Sequence, residues 1–212
     1  MLRKLALVPV VLAATLVVAA AKLDTAGPCT DPAVSDAVKK ALAAQGYRVT
    51  LDDGNVVTVW PRAEVPTAAK GRDDATYSLP VSAFVAVIHF DKDTRDYRGN
   101  AIKAGTYNLR YAIQPSDGDH LGTSPTPDFL LAVPPAADTD PAATYTFDQI
   151  VDLSRQVTGK KHPAPFNLVP PDAKQFPSVF ADNEEHTILA FKVKTSSGDL
   201  PLALVVKGTT TE

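Results

Sequence analysis

The sequence YNLRYAI at residues 107–113 alternates large apolar side chains with polar or small ones. Successive residues of a β-strand point to opposite faces of its sheet, so this pattern predicts a strand with one buried face. The apolar members, which we expect to face the core, are Tyr107, Leu109, Tyr111 and Ile113. Arg110 falls on the opposite face, where we expect its side chain to contribute little to stability.

Other apolar runs predict further strands. Residues 84–90 read FVAVIHF and have apolar residues at both odd and even positions, as in a central strand that is covered on both faces. Residues 129–133 read FLLAV and end at two prolines. Two more strands are expected at residues 188–193 and 200–206, on either side of the turn sequence SSGD.

A β-hairpin is expected around Asp53-Gly54, because β-rich residues flank this turn signal on both sides. We expect a two-residue loop. The cross-strand pairs that such a loop predicts are Leu51 with Val56, Val49 with Thr58, and Tyr47 with Trp60.

Two helices are predicted. Asp31 is a candidate N-cap for a helix over residues 32–45, in which apolar residues recur every four positions. Thr146 and Gln149 have the spacing of a capping box, and the apolar stripe that follows predicts a second helix ending at Gly159.

Short strands separated by turn signals predict a mainly β fold, an antiparallel β-sandwich with one N-terminal helix and one inserted helix. A doubly wound α/β fold is excluded, because no helix is expected between residues 84 and 133. Residues 162–177 contain five prolines and are expected to form an extended surface segment with little ladder bonding.

Residues 1–21 have the pattern of an export signal peptide. A basic start at Arg3 and Lys4 precedes an uncharged, alanine-rich run that ends in small residues suited to signal peptidase. An uncleaved anchor is the alternative, because this run is just long enough to span a bilayer. We therefore expect a periplasmic or extracellular protein in which residues 22–212 form a single β-rich domain.

We expect the mature protein to begin near Lys22, because cleavage follows small residues such as those at 19–21. Mass spectrometry of the N-terminus of protein purified from its native host checks this. An exported chain that still carries residues 1–21 would contradict cleavage and indicate an anchor.

Composition and charge exclude several classes. Hydrophobic residues make up 45% and charged residues 21%, which is typical of a globular protein and excludes a polytopic membrane protein. The formal charge of −3 becomes −5 when Arg3 and Lys4 leave with the signal peptide, so nucleic acid is not expected as a partner. Cys29 is the only cysteine, which excludes an internal disulfide, and we interpret it as an incidental thiol.

Polar chemistry is densest between the predicted strands at 107–113 and 129–133. The candidate functional side chains there are Asp117, Asp119, His120, Ser124 and Asp128. Carboxylates and an imidazole could bind a metal or supply a base beside a hydroxyl. The segment lacks the spacing of a calcium loop and the G-x-S-x-G elbow of a hydrolase, and such residues also serve ordinary turns. We therefore assign no catalytic residue and no metal ligand, and expect no cofactor.

Three segments carry a resemblance to known sequences. They are KAGTYNL at residues 103–109, DGDHLGTSP at 117–125 and LPLALVVKG at 200–208. The first is similar to a K-x-G-x-Y-x-L turn-and-strand signature of secreted bacterial β-sandwich modules. Together they resemble a family of uncharacterised exported proteins from soil bacteria. The resemblance implies export and a β-rich fold, and it brings no activity or catalytic residues.

The function that these observations favour is an exported noncatalytic domain that binds a protein or a cell-envelope component through its loops. The alternative is a hydrolase or metal-dependent enzyme that uses the loop at 117–128. A carbohydrate-binding module is a third possibility, but such modules present exposed aromatic side chains, and Trp60 is assigned to the core. Membrane contact is expected only through residues 1–21 if they are not cleaved.

Overall fold

The computed structural model describes residues 21–69, 73–97, 99–116 and 124–208, and these contain twelve strands and two α-helices. The first six strands are β1 (Lys22–Ala26), β2 (Gly46–Thr50), β3 (Val56–Pro61), β4 (Phe84–Phe90), β5 (Thr94–Arg95) and β6 (Ala101–Ile102). The other six are β7 (Gly105–Ile113), β8 (Asp128–Val133), β9 (Pro165–Asn167), β10 (Ser178–Ala181), β11 (Thr187–Thr195) and β12 (Gly198–Lys207). The helices are α1 (Asp36–Ala41) and α2 (Phe147–Thr158).

The strands form one large and one small antiparallel sheet, with a minor β5–β6 ladder. The large sheet has seven strands in the order β1-β2-β3-β4-β7-β8-β9, and the small sheet has the order β10-β11-β12. Helix α1 precedes β2, and helix α2 is inserted between β8 and β9. The predicted mainly β, antiparallel fold with one N-terminal and one inserted helix is confirmed.

The main core lies between the two sheets. It joins side chains from one face of the large sheet, such as Val59, Ile88 and Leu109, to side chains of the small sheet, such as Phe191 and Leu204. Of the four apolar residues predicted to face the core from β7, Tyr107, Leu109 and Tyr111 belong to this cluster, and the partly buried Ile113 packs against it. The alternation at residues 107–113 therefore identified the buried face correctly.

The opposite face of the large sheet is covered by the helices. Val34 and Val38 in and before α1 pack with Phe84 and Val87 of β4, and Ile150 of α2 packs on β7 and β8. Strand β4 is consequently buried on both faces at the centre of the sheet, as its continuous apolar sequence predicts.

This covering makes the expectation for Arg110 wrong. Arg110 lies on the helix-covered face of β7 and is fully buried, not exposed. Its guanidinium forms an ion pair with the buried carboxylate of Asp138, with Nη2 2.7 Å from Oδ1. Period-two alternation gives the direction of a side chain, but it does not say whether another segment covers that face.

The register predicted for the first hairpin is also wrong, by one residue. Thr50 pairs with Val56 and Tyr47 pairs with Val59, because the connection is a three-residue loop closed by a hydrogen bond from the Leu51 N–H to the Asn55 carbonyl. Gly54 has a φ of 75°, the left-handed residue that ends a loop of this type. Trp60 therefore packs with the α1 cluster on the other face of the sheet.

Helix α1 is shorter than the predicted 32–45. Ser35, not Asp31, caps it, since the Ser35 hydroxyl accepts the N–H of Val38 at 3.1 Å. Just past the other end of the helix, the N–H of Ala43 donates to the Pro61 carbonyl at 2.8 Å. Pairing with β3 thus replaces further helical turns.

Helix α2 agrees with its sequence signals. The Thr146–Gln149 capping box is formed in both directions, and Gly159 adopts the left-handed C-cap conformation. The following proline-rich segment forms one short ladder, where β9 pairs with the edge of β8, and it is not confined to the surface as expected, since Phe166 and Leu168 are fully buried. Pro165 is tolerated there because it begins an edge strand.

Candidate functional site: a pocket beside helix α2

The predicted functional loop is only partly covered by the structure. Asp117, Asp119 and His120 lie outside the described residues. Ser124 and Asp128 are described, and they have different environments.

Asp128 is fully buried at the start of β8. One oxygen accepts the backbone N–H of Thr76 at 2.7 Å, and the other accepts the Tyr111 hydroxyl at 2.5 Å and the Tyr77 N–H at 3.3 Å. Burial, together with the bond to this carboxylate, raises the pKa of Tyr111 far above its ordinary value. Asp128 therefore holds the segment at 75–77 against the sheet.

Ser124 is hydrogen-bonded to a residue that lines a pocket. Its hydroxyl accepts a hydrogen bond from the side-chain amide of Asn167 on β9, at 2.7 Å. Asn167 pairs with Phe129 across β8 and β9, and both residues line the pocket. The end of the predicted loop is thus connected to the pocket wall.

The pocket has a volume of about 260 Å³ and lies between α2, the strands β8 and β9, and the residues that follow β7. The residues that line it are Gln114, Pro115, Phe129, Phe147, Val151, Arg155, Lys161, His162, Pro163, Pro165 and Asn167. Phe147, Val151 and Arg155 are spaced four residues apart, so they form one stripe along α2.

Contacts with the sheet hold α2 in place beside this pocket. Ile150 is fully buried against β7 and β8, and the buried Ser154 hydroxyl accepts the N–H of Ala164 at 2.9 Å. The Thr158 hydroxyl donates to the His162 carbonyl at 2.7 Å. The loop after the helix therefore returns along the helix and brings Lys161 and His162 to the pocket.

We call Arg155, Lys161 and His162 the basic rim. All three residues are exposed at the pocket. Arg155 Nε donates to the Lys161 carbonyl at 2.6 Å, and Nη1 lies 2.7 Å from Asp152 Oδ1. His162 Nδ1 lies 3.0 Å from the Pro163 carbonyl. The pocket thus combines apolar walls with cationic donors, which suits it to binding.

The sequence contained a weak signal for this pocket. The spacing of Phe147, Val151 and Arg155 placed them on one helix face, but nothing distinguished that face from an ordinary core stripe. Lys161 and His162 belonged to a segment interpreted as a surface excursion. Only the return of this segment onto α2 brings the basic rim together.

A second polar cluster surrounds His89 on β4. His89 Nδ1 lies 2.7 Å from the Thr106 hydroxyl, and Nε2 lies 3.3 Å from Asp91. Thr106 also donates to Asp31, and although partial burial opposes it, this bond helps to lower the pKa of Asp31. The cluster ties the segment before α1 to the sheet.

Cys29 lies in the same region, buried against α1. Burial raises the pKa of its thiol, which disfavours the nucleophilic thiolate. Its environment is that of a small core residue.

Within the described ranges, no three His, Cys, Asp or Glu side chains are grouped so that they could hold a metal ion. Nor does any helix of that part of the chain have the length and hydropathy to cross a membrane.

Neither a protein-family model, nor a curated protein, nor a solved structure matches this chain.

Proposed function

We propose that this chain is an exported noncatalytic domain that binds a protein or a cell-envelope component through the pocket beside α2. The observation that carries the proposal is the combination of apolar walls and a basic rim in one cavity of about 260 Å³. Ligand sites typically have mostly apolar walls and a few polar groups that orient the ligand.

The distribution of apolar surface supports this choice of site. In the described part of the chain, Val81 is the one large hydrophobic residue that is strongly exposed to solvent, at 40%. Broad apolar docking faces usually expose several such side chains together. Apolar contact with a partner is therefore concentrated in the pocket, where Phe147 and Val151 are half-buried.

The buried polar groups support a noncatalytic role. The carboxylates of Asp128 and Asp138 are fully buried and bonded to backbone and side-chain donors of the fold.

The export part of the proposal rests on the sequence of residues 1–21, which has the order of charge, apolar run and small residues found in signal peptides.

Site-specific photocrosslinking in the native host tests the proposal. Lys161 at the rim of the pocket and Gln156 on the exposed part of α2 are each replaced by benzoylphenylalanine, which at the rim leaves the cavity open. We expect one envelope component or protein to be captured from position 161 and not from position 156. The captured partner, once purified, should bind the unmodified domain and bind a Val151→Trp variant at least about tenfold more weakly, because the indole fills the pocket.

Equal capture from both positions would contradict the proposal. So would unchanged affinity of the Val151→Trp variant, provided that its circular dichroism and melting temperature match those of the unmodified domain.

A further inference from the structure

The apolar part of the pocket is formed by aromatic and aliphatic side chains from two elements. Phe129 comes from β8, and Phe147 and Val151 come from α2. Phe129 is only 8% exposed, whereas the side chain of Arg155 is 46% exposed. The apolar wall is therefore the deeper part and the basic rim is the outer part. A ligand that fits both must have an apolar end and a polar end.

The guanidinium of Arg155 is held in place before any ligand arrives. Its Nε donates to the Lys161 carbonyl and its Nη1 to Asp152, which uses two of its five N–H donors. The described residues leave the other three donors to solvent or to a ligand. A guanidinium with donors in this fork geometry binds a carboxylate through two parallel hydrogen bonds.

The charge of the rim favours an anion. Asp152 offsets the charge of Arg155, but the neighbouring Lys160 and Lys161 add two more positive charges at the end of α2. The chain without residues 1–21 is acidic. The full sequence has a formal charge of −3, and removing Arg3 and Lys4 leaves −5 for residues 22–212. A local excess of positive charge on an acidic domain selects against cationic ligands.

The size of the cavity limits the apolar end. A dry cavity of about 150 Å³ is enough to bind benzene. The pocket, at about 260 Å³, therefore holds one ring and a short chain that reaches the rim. A long acyl chain or an oligosaccharide exceeds this volume.

We infer that the pocket recognises an apolar group of about one ring that carries a carboxylate. The inference rests on the proposed function, because it names the ligand chemistry of the same pocket. A free aromatic acid and the carboxyl-terminal aromatic residue of a polypeptide both present this chemistry, and the experiment separates the two sources.

Isothermal titration calorimetry with 3-phenylpropanoate and its neutral analogue 3-phenylpropanamide tests the role of the charge. The two probes have nearly the same shape, so they differ in the interaction with the rim alone. Because hydrogen bonds to charged groups are stronger than neutral ones, we expect the acid to bind roughly ten- to a hundredfold more tightly. Its affinity should fall as the salt concentration rises.

Two charge-removing variants locate the interaction. Arg155→Gln should remove most of the preference for the acid over the amide, whereas Lys40→Gln, an exposed cation on α1, should leave it unchanged. Arg155 is on the surface, so its replacement is not expected to unfold the domain, and circular dichroism checks this. The inference is overturned if acid and amide bind equally, or if the Arg155→Gln variant retains the full preference.

A second pair of probes identifies the source of the carboxylate. They are acetyl-Gly-Gly-Phe with a free carboxyl terminus and the same peptide with an amidated terminus. Tighter binding of the free peptide than of 3-phenylpropanoate supports a polypeptide end. Tighter binding of the small acid supports a free aromatic acid as the ligand, and it would contradict the protein or envelope partner of the proposed function. If a partner is captured from position 161 but no probe shows a carboxylate preference, this inference fails while the proposed function stands.

Discussion

Replacing Arg110 with alanine is expected to lower the free energy of unfolding by about 3–5 kcal/mol, as is usual when one partner of a buried ion pair is removed. The variant leaves the carboxylate of Asp138 buried without its counter-charge. Urea denaturation followed by circular dichroism measures the loss. A change of this size is a large fraction of the total stability of a domain.

The expected effect is large because every donor of Arg110 is used. Nε and Nη2 bind the two oxygens of Asp138 at 2.8 and 2.7 Å. The remaining donors bind the backbone carbonyls of Ser82, Asp140 and Ala143, at 2.7 to 2.8 Å. The guanidinium also lies 4.9 Å from the centre of the Tyr145 ring, which adds a cation–π contact. Arg110 therefore anchors the segment at 138–145 to the large sheet.

Arg155→Ala is the matched control, since its ion pair with Asp152 is exposed and such pairs contribute about 0–1 kcal/mol. Arg110→Lys keeps the charge but not the planar fork, so it should lie between Arg110→Ala and the unmodified domain. If Arg110→Ala does not fold, Arg110→Lys still measures the effect. Equal stability of the Arg110→Lys, Arg155→Ala and unmodified proteins would show that the buried network does not stabilise the fold.

Leu109→Ala is expected to cost about 2–5 kcal/mol, because the deletion leaves a cavity in a well-packed core. Leu109 is fully buried between the two sheets, in the cluster that includes Phe191 and Leu204. Thermal melts monitored by circular dichroism detect the loss as a lower Tm.

Val81→Ala provides the comparison for this second variant. Val81 is 40% exposed, and substitutions at such positions usually change stability by less than about 0.5 kcal/mol. If Leu109→Ala and Val81→Ala melted at the same temperature, the assignment of Leu109 to the core between the sheets would be wrong.

The adjacent residues Leu109 and Arg110 show how far the sequence could be interpreted. The burial of Leu109 follows from the local alternation, since one face of an amphipathic strand must be covered. The burial of Arg110 depends on Asp138, which lies 28 residues later and reaches it only through the fold. A single arginine on the polar face of a predicted strand is normally interpreted as a surface residue. The local sequence does not identify an ion-pair partner that lies far along the chain.

The candidate site shows the same limit. The loop at 117–128 was selected from the sequence because it contains acidic residues, a histidine and a serine. In the structure, Ser124 lies near the pocket, whereas Asp128 is hydrogen-bonded to Thr76 and Tyr111. The basic rim was not predicted, because Arg155 lies in α2 and Lys161 lies in the loop that follows it. Their convergence requires the chain after Gly159 to turn back along α2.

The sequence by itself determined the features that depend on neighbouring residues. These are the mainly β composition, the doubly buried strand β4, the inward face of β7, and both ends of α2, where a capping box and a glycine act within one helical turn. Tertiary structure decided the features in which distant segments compete for the same backbone groups or the same face. Pairing with β3 ends α1, and the segments that cover the large sheet bury Arg110 and form the pocket.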